Sequence, residues 1–191
     1  YVGVVFFPRS PRHVTPLQAA ELSVMLPDRV IPVALAVDPD DALVSEIDAV
    51  AGISMFQLHG GETPDRVAAI KAKTGKPVMK AVKVSEAADL DAANAYTDIA
   101  DMLLFDAKPP PEMKNALPGG NALSFDWTIL AGRDWPVPWM LSGGLDPDNV
   151  ADAIRVSGAT AVDISSGVES APGVKDPRLI SAFLKAVNAA R

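Results

Sequence analysis

Cysteine is absent from the 191 residues, and histidine and tyrosine each occur only twice. Without cysteine there is no disulfide framework and no thiolate chemistry among these residues. The two histidines, His13 and His59, have no His-x-x-x-His spacing and no neighbouring carboxylate cluster, so no metal site is implied. Positive charge is in deficit: 17 Lys and Arg face 24 Asp and Glu, a net charge of −7. That balance repels nucleic acid phosphates, and no basic cluster interleaved with aromatics offsets it, which argues against a nucleic acid partner. Long apolar runs are missing too. Nothing approaches the roughly 18 consecutive residues a transmembrane helix needs, so no membrane partner is expected. The chain opens on Tyr1-Val2-Gly3-Val4-Val5, with neither an initiator methionine nor the charged start of a signal peptide. It reads as an entry into the middle of a fold, and a cytoplasmic location is expected.

Apolar residues make up 49% of the chain, broken into short runs. These read as strands near Tyr1–Phe7, Val30–Val37, Ile53–Leu58, Val78–Val84, Met102–Phe105, Trp139–Ser142 and Ala161–Ser165. Their near-continuous apolar character fits strands covered on both faces, as in a parallel sheet. Helix starts punctuate the segments between them. Thr15-Pro16 with Gln18 spells a capping box, and Asp38-Pro39, Thr63-Pro64, Asp146-Pro147 and Asp176-Pro177 carry a capping acceptor followed by proline. Ser85–Ala95 and a short Ser124–Leu130 supply two more helices. The reading is seven βα units in one domain over residues 1–191. Seven is one short of the closed (β/α)8 TIM barrel, so the expectation is an α/β barrel, units two to eight, with the first βα unit missing. A doubly wound open sheet is the alternative, but no Gly-x-Gly-x-x-Gly turn follows the first strand.

In such a barrel, chemistry sits just after each strand. The loops after the last two strands read Ser142-Gly143-Gly144-Leu145 and Asp163-Ile164-Ser165-Ser166-Gly167. Taken alone, Gly143-Gly144 is more often a tight turn than a phosphate loop. Ser165-Ser166-Gly167 one unit later turns the reading to a phosphate site, because glycine lets backbone amides approach an anion closely. Asp106 directly follows the fifth strand, placed either to donate a proton or to serve as an N-cap or a partner of Lys108. Arg12 is either a bidentate anion clamp or a solvated loop charge. His59 either lines the site or makes structural hydrogen bonds. The long Lys108–Leu123 connection, which includes Met113 and Pro109-Pro110-Pro111, has the length of a mobile cover.

Several motifs occur together in order: Gly3-Val4-Val5-Phe6-Phe7-Pro8 leading to Ser10-Pro11-Arg12-His13, then Gln57-Leu58-His59-Gly60, Leu104-Phe105-Asp106 and Phe125-Asp126-Trp127. Ser142-Gly143-Gly144-Leu145 follows with Pro147 and Asn149-Val150, then Val162 to Glu169 with Pro172-Gly173 and Lys175-Asp176. Along essentially its whole length the chain resembles the phosphoribosylanthranilate isomerase family. That resemblance implies an Amadori rearrangement of N-(5-phosphoribosyl)anthranilate to the 1-deoxyribulose 5-phosphate derivative in tryptophan biosynthesis, with no cofactor and no metal. It makes Asp106 the general acid and Arg12 the carboxylate binder. It gives the phosphate to Gly143, Gly144, Ser165, Ser166 and Gly167, and places His59 and Asp163 in the substrate site. The partner implied is a small phosphorylated substrate, with the protein a monomer or a homodimer. The family's general base is a cysteine in a Lys-x-Cys-Gly first strand, which these residues lack, and the expectation is that this strand lies ahead of Tyr1. A second departure is Asn121-Ala122, where many relatives have glycine after the asparagine; alanine is a mild change there if φ is negative.

Two rivals stand beside this reading. Another phosphate-binding barrel, such as indole-glycerol-phosphate synthase or a pentose-phosphate epimerase, would call for early catalytic Lys and Glu or metal-binding histidines, and neither pattern is present. The other rival is a non-catalytic part of a larger assembly, with the barrel completed by another chain.

Overall fold

The computed structural model describes residues 1–113 and 117–190. They form two compact units, Tyr1–Ala81 with Asp98–Met102, and Val82–Thr97 with Leu103–Arg191. The first unit holds β1 (Val2–Phe6), α1 (Pro16–Ser23), β2 (Pro32–Ala36), α2 (Asp41–Asp48), β3 (Met55–Leu58), α3 (Pro64–Thr74) and the start of β4 (Val78–Val84), which ends in the second. Its strands are parallel neighbours in chain order, with Val4 opposite Ala34, Ala34 opposite Phe56 and Phe56 opposite Val78. All four residues of β3 are buried, as the unbroken apolar runs require when both faces of a parallel sheet are covered. Val44 and Ile47 of α2 and Val67 and Ile70 of α3, three residues apart on each helix, are buried almost completely. Each such side chain contributes about 1.5–3 kcal/mol by leaving water.

Helix starts follow the local chemistry. Thr15 Oγ1 accepts from the Gln18 amide at 3.3 Å while Gln18 Oε1 accepts from the Thr15 amide at 2.8 Å, the expected capping box. Thr63 caps α3, and Gly75, at φ 65°, ends it. The expected start at Asp38-Pro39 is displaced: Asp40 is the cap of α2, accepting from the Leu43 amide at 2.8 Å. Asp38 sits instead at φ 46°, and its carboxylate accepts from the Gly61 amide at 2.7 Å. A longer-range partner has taken the cap away from it.

The second unit contains the end of β4, a 3-10 helix (Ala87–Tyr96), β5 (Met102–Ala107), a 3-10 turn (Trp127–Leu130), β6 (Trp139–Leu141) and α4 (Val150–Ser157). A 3-10 turn (Ser166–Val168), the hairpin of β7 (Glu169–Ala171) and β8 (Val174–Lys175), and α5 (Pro177–Ala189) complete it. β5 and β6 are parallel, with Phe105 opposite Leu141. Leu103 and Phe105 point into a core shared with Leu130, Leu141, Val150, Ala153 and Phe183, and Phe105 packs 5.0 Å from the Trp135 ring and 5.6 Å from Trp139. Strand alternation then puts Leu104 and Asp106 on the opposite face.

Four sequence expectations are corrected here. Ala161–Ser165 does not extend as a strand; a single parallel bridge, Leu141 to Val162, is flanked by Leu141 N–H to Ala161 at 3.0 Å and Asp163 N–H to Leu141 at 2.8 Å. β6 is only three residues long, and Ser165 leaves extended geometry at ψ −79°, so the ladder ends. The Ser85–Ala95 helix is wound as 3-10, because the Asp89 carboxylate draws the Ser85 and Glu86 amides back to it at 2.8 and 3.1 Å. Asp146-Pro147 opens a turn rather than a helix: Asp146 Oδ1 accepts from the Asp148 and Asn149 amides, and α4 starts at Val150. Ser124–Leu130 shrinks to the 3-10 turn begun by Asp126.

Candidate active site

The second unit brings the larger share of the expected site together. Asp106, at the end of β5, is buried to 5% exposure. Its Oδ1 accepts from the Ala107 amide at 3.0 Å and its Oδ2 lies 2.6 Å from Lys83 Nζ. The expected alternative partner, Lys108, is engaged elsewhere, 2.5 Å from Asp89 Oδ1. Burial works against the ionised form of Asp89, but the Lys108 ammonium and the Ser85 and Glu86 amides outweigh it and hold its carboxyl well below the usual carboxylate range. Asp89 in turn raises Lys108.

The turn after β6 is folded directly onto Asp106. Gly143 sits at φ 91°, and a Cβ there would fall 2.6 Å from the Ala107 nitrogen and 3.2 Å from Asp106 Oδ1. Gly144, at φ 63°, lies equally close to the Leu123–Ser124 backbone, 2.8 Å from a would-be Cβ. Only a residue without a side chain permits both approaches. Asn149 holds the turn from below, its Nδ2 donating to the Gly144 carbonyl at 2.9 Å. A Cβ on Gly167 would run into the Leu145 carbonyl, so the two loops proposed for phosphate are packed against each other. Ser142 Oγ donates to Asp163 Oδ2 at 2.9 Å, fixing Asp163 beside the same turn. Ser165, Ser166 and Gly167 are half-buried, and the β7–β8 hairpin returns Lys175 to them, Nζ donating to the Ser165 carbonyl at 2.7 Å.

Over this group runs Leu117–Ser124. Asn121 closes its turn by accepting from the Leu117 amide at 3.0 Å and donating to the Leu117 carbonyl at 2.6 Å. Lys83 also donates to the Pro118 carbonyl. Ala122 lies at φ 55°, so the expectation of a mild change there is corrected: this is left-handed backbone carrying a side chain. Of the expected cover Lys108–Leu123, residues 114–116 lie outside the described residues.

The first unit carries Arg12 and His59. Arg12 is half-buried in the turn after β1, its amide donating to Ser10 Oγ at 3.1 Å. His59 is 5% exposed, and its Nδ1 lies 3.0 Å from Gln57 Nε2. Behind it lies a buried ion pair absent from the sequence reading. Lys80 Nζ is 2.7 Å from Glu62 Oε2 and 2.7 Å from the Gly60 carbonyl, while Glu62 Oε1 accepts from the Asp38 amide at 2.8 Å. This network fixes the His59–Glu62 loop to Lys80 of β4 and to Asp38 just after β2. A cleft of about 460 Å³, lined by Ile154, Ala159, Val162 and Val187 among others, opens where the chain leads into Ala161–Ser165. It is apolar, and none of the expected site residues lines it.

Lys83, Lys80–Glu62, Asn149 and Lys175 were not read as site residues from sequence. The two strand lysines had a signal, since charge inside the apolar run Val78-Met79-Lys80-Ala81-Val82-Lys83-Val84 costs several kcal/mol unless it is paired.

βα repeats with glycine turns after the strands define an α/β protein of the class whose enzymes work at their strand ends. Residues 1–186 match the family model described as N-(5'-phosphoribosyl)anthranilate (PRA) isomerase. The curated N-(5'-phosphoribosyl)anthranilate isomerase of Paramagnetospirillum magneticum is 60% identical over 192 residues, covering 100% of this chain and 88% of that protein. A solved phosphoribosyl anthranilate isomerase in complex with reduced 1-(o-carboxyphenylamino)-1-deoxyribulose 5-phosphate superposes at TM-score 0.83 and 33% identity, over 98% of this chain and 87% of that one. Monomers generated from the dimeric phosphoribosylanthranilate isomerase of Thermotoga maritima superpose at 0.82 and 34% identity, over 99% and 87%. The chain belongs to the N-(5'-phosphoribosyl)anthranilate isomerase family, and its role is that of an isomerase in tryptophan biosynthesis.

Proposed function

We propose that the chain catalyses the Amadori rearrangement of N-(5-phosphoribosyl)anthranilate to 1-(2-carboxyphenylamino)-1-deoxyribulose 5-phosphate, with Asp106 as the general acid. The observation that carries this is the placement of Asp106: a buried carboxyl group at the carboxyl end of β5, fixed through both oxygens and covered by the Gly143 turn. A carboxyl group so held can protonate the ribose ring oxygen as the ring opens to a Schiff base. The two packed loops at Gly143-Gly144 and Ser165-Ser166-Gly167 hold the phosphate in this proposal, helped by the partial positive charge at the start of α4. By the family resemblance, Arg12 takes the anthranilate carboxylate as a bidentate donor, and His59 and Asp163 take part in substrate binding. The second proton transfer, from C2, falls to the family's strand cysteine, which these 191 residues do not contain. No cofactor or metal enters the scheme.

The (β/α)8 barrel as a single domain belongs to the same proposal, as do a cytoplasmic location and a monomeric or homodimeric state. The parallel order of β1 to β4 and the pairing of β5 with β6 support it.

Asp106→Asn tests the assignment, because the amide keeps shape and hydrogen bonding but has no acidic proton. Turnover of the native polypeptide should fall by about 10² to 10⁴ while product binding stays within about threefold. Turnover within about twofold of the parent removes Asp106 from the role of acid.

A further inference from the structure

Lys83 stands on the second to last residue of β4, three-quarters buried, with its ammonium between two acceptors that do different work. One is Oδ2 of Asp106, at 2.6 Å; the other is the carbonyl of Pro118 in the Leu117–Ser124 segment. The remaining oxygen of Asp106 is satisfied by the Ala107 amide at 3.0 Å, and Gly143 closes against that side. The carboxyl group is therefore gripped through one oxygen by a fixed cation and through the other by a backbone amide. Lys108, which the sequence offers as its partner, is tied to Asp89 and leaves the position to Lys83.

We propose that Lys83 is a positioning residue for the reaction. Its ammonium holds the Asp106 carboxyl group in place and stabilises the negative charge that this group acquires on giving up its proton. The inference rests on the reading of Asp106 as the acid. In that step the bond from C1 to the ring oxygen breaks and its electron pair goes to the oxygen. The oxygen takes the proton from Asp106, and the nitrogen lone pair forms the C1=N bond of the Schiff base. Asp106 finishes with one more negative charge, 2.6 Å from a positive charge already in position. A preorganised cation aimed at developing charge needs no reorganisation at the moment of reaction, and in a site sheltered from water its effect is larger than in solution. The Pro118 carbonyl holds the ammonium from its other side, so the covering segment and the acid share one donor.

Three variants of the native polypeptide separate this role from a structural one. Lys83→Arg keeps the charge, Lys83→Gln keeps a hydrogen-bond donor without the charge, and Lys83→Met keeps only length. The readout is the pH profile of kcat, whose alkaline limb reports the protonated acid. Removing a cation in contact with a carboxylate makes that group a weaker acid, so in Lys83→Gln and Lys83→Met the alkaline limb moves to higher pH by about one unit or more. The plateau kcat drops by about tenfold or more, and Lys83→Arg restores the limb to near its original position. If Lys83→Met fails to fold, Lys83→Gln decides the matter. An unmoved limb in folded Lys83→Gln overturns the proposal, even with kcat reduced. Asp106→Asn measured alongside keeps the two questions apart. Full activity there defeats the acid assignment, whereas an inactive Asp106→Asn with an unmoved limb in Lys83→Gln defeats only the role of Lys83.

Discussion

Replacing Gly143 with alanine attacks two properties of the site at once, and the structure separates their magnitudes. The first is backbone conformation. At φ 91° an L-residue meets its own carbonyl, a cost of about 1–2 kcal/mol, reduced by roughly 0.4–1 kcal/mol because alanine also has less freedom to lose from the unfolded chain. The second is space: the new Cβ would lie 2.6 Å from the Ala107 nitrogen and 2.9 Å from the Ala107 Cβ, both on β5. Neither atom is the free end of a flexible side chain, so relief requires moving the strand end or the turn, about 1–3 kcal/mol by the usual cost of overpacking. Gly158→Ala isolates the first contribution, since Gly158 ends α4 at φ 76° with nothing within 4 Å of a would-be Cβ. Urea unfolding should show about 0.5–1.5 kcal/mol lost in Gly158→Ala and about 2–4 kcal/mol in Gly143→Ala. The same substitution presses on Asp106 Oδ1 from 3.2 Å, so kcat should fall in Gly143→Ala and stay near the parent value in Gly158→Ala. Equal stability losses in the two variants would refute the claim that Gly143 is required for close approach, and unchanged kcat in Gly143→Ala would detach the turn from the acid.

Two further outcomes follow from local geometry. Ala122→Gly removes a side chain from left-handed backbone at φ 55° and should raise stability by about 0.5–1 kcal/mol in the same unfolding assay, whereas a loss would show that the Ala122 methyl group makes compensating contacts. Asp89 is held below its unfolded value of 3.8, so it contributes stability that is fully present above about pH 4 and is lost as pH falls from there through its lower folded value. Thermal melts from pH 7 to pH 2 should therefore show a gap between the parent and Asp89→Asn that narrows below about pH 4; a gap constant across that range would mean that the ionised Asp89 stabilises nothing.

The elements legible in sequence are those whose signals are local. Thr15, Thr63 and Asp176 each carry their cap acceptor beside a proline, and all three helices start where the text of the chain says. Asp38-Pro39 and Asp146-Pro147 carry the same signal and fail. Asp38 is drawn to Gly61, twenty-three residues away, and Asp146 spends its carboxylate on a turn one step before the helix. The fifth strand and the aspartate at its end were readable from Met102-Leu103-Leu104-Phe105-Asp106, but its partner was not. Lys108 is adjacent in sequence, whereas Lys83 is adjacent only once β4 and the end of β5 have found their places in the second unit. The glycine turns were legible as special backbone. That Gly143 is special because β5 passes within contact distance is a tertiary fact with no trace in its neighbours.

The ion pair of Lys80 and Glu62 bears on how this sequence can drift over generations. Both side chains are about 3% exposed, and losing either one alone would strand a desolvated charge, at a cost of about 3–5 kcal/mol. That is a large part of the 5–15 kcal/mol by which a protein of ordinary stability stays folded. Exchanging both at once for apolar residues would escape that cost, but Glu62 also receives the amides of Asp38 and Gly60, and these would be left without an acceptor in the interior. Single steps and the paired step are thus all uphill. The two positions behave as one inherited character, and a lineage that has acquired the pair has no easy path away from it.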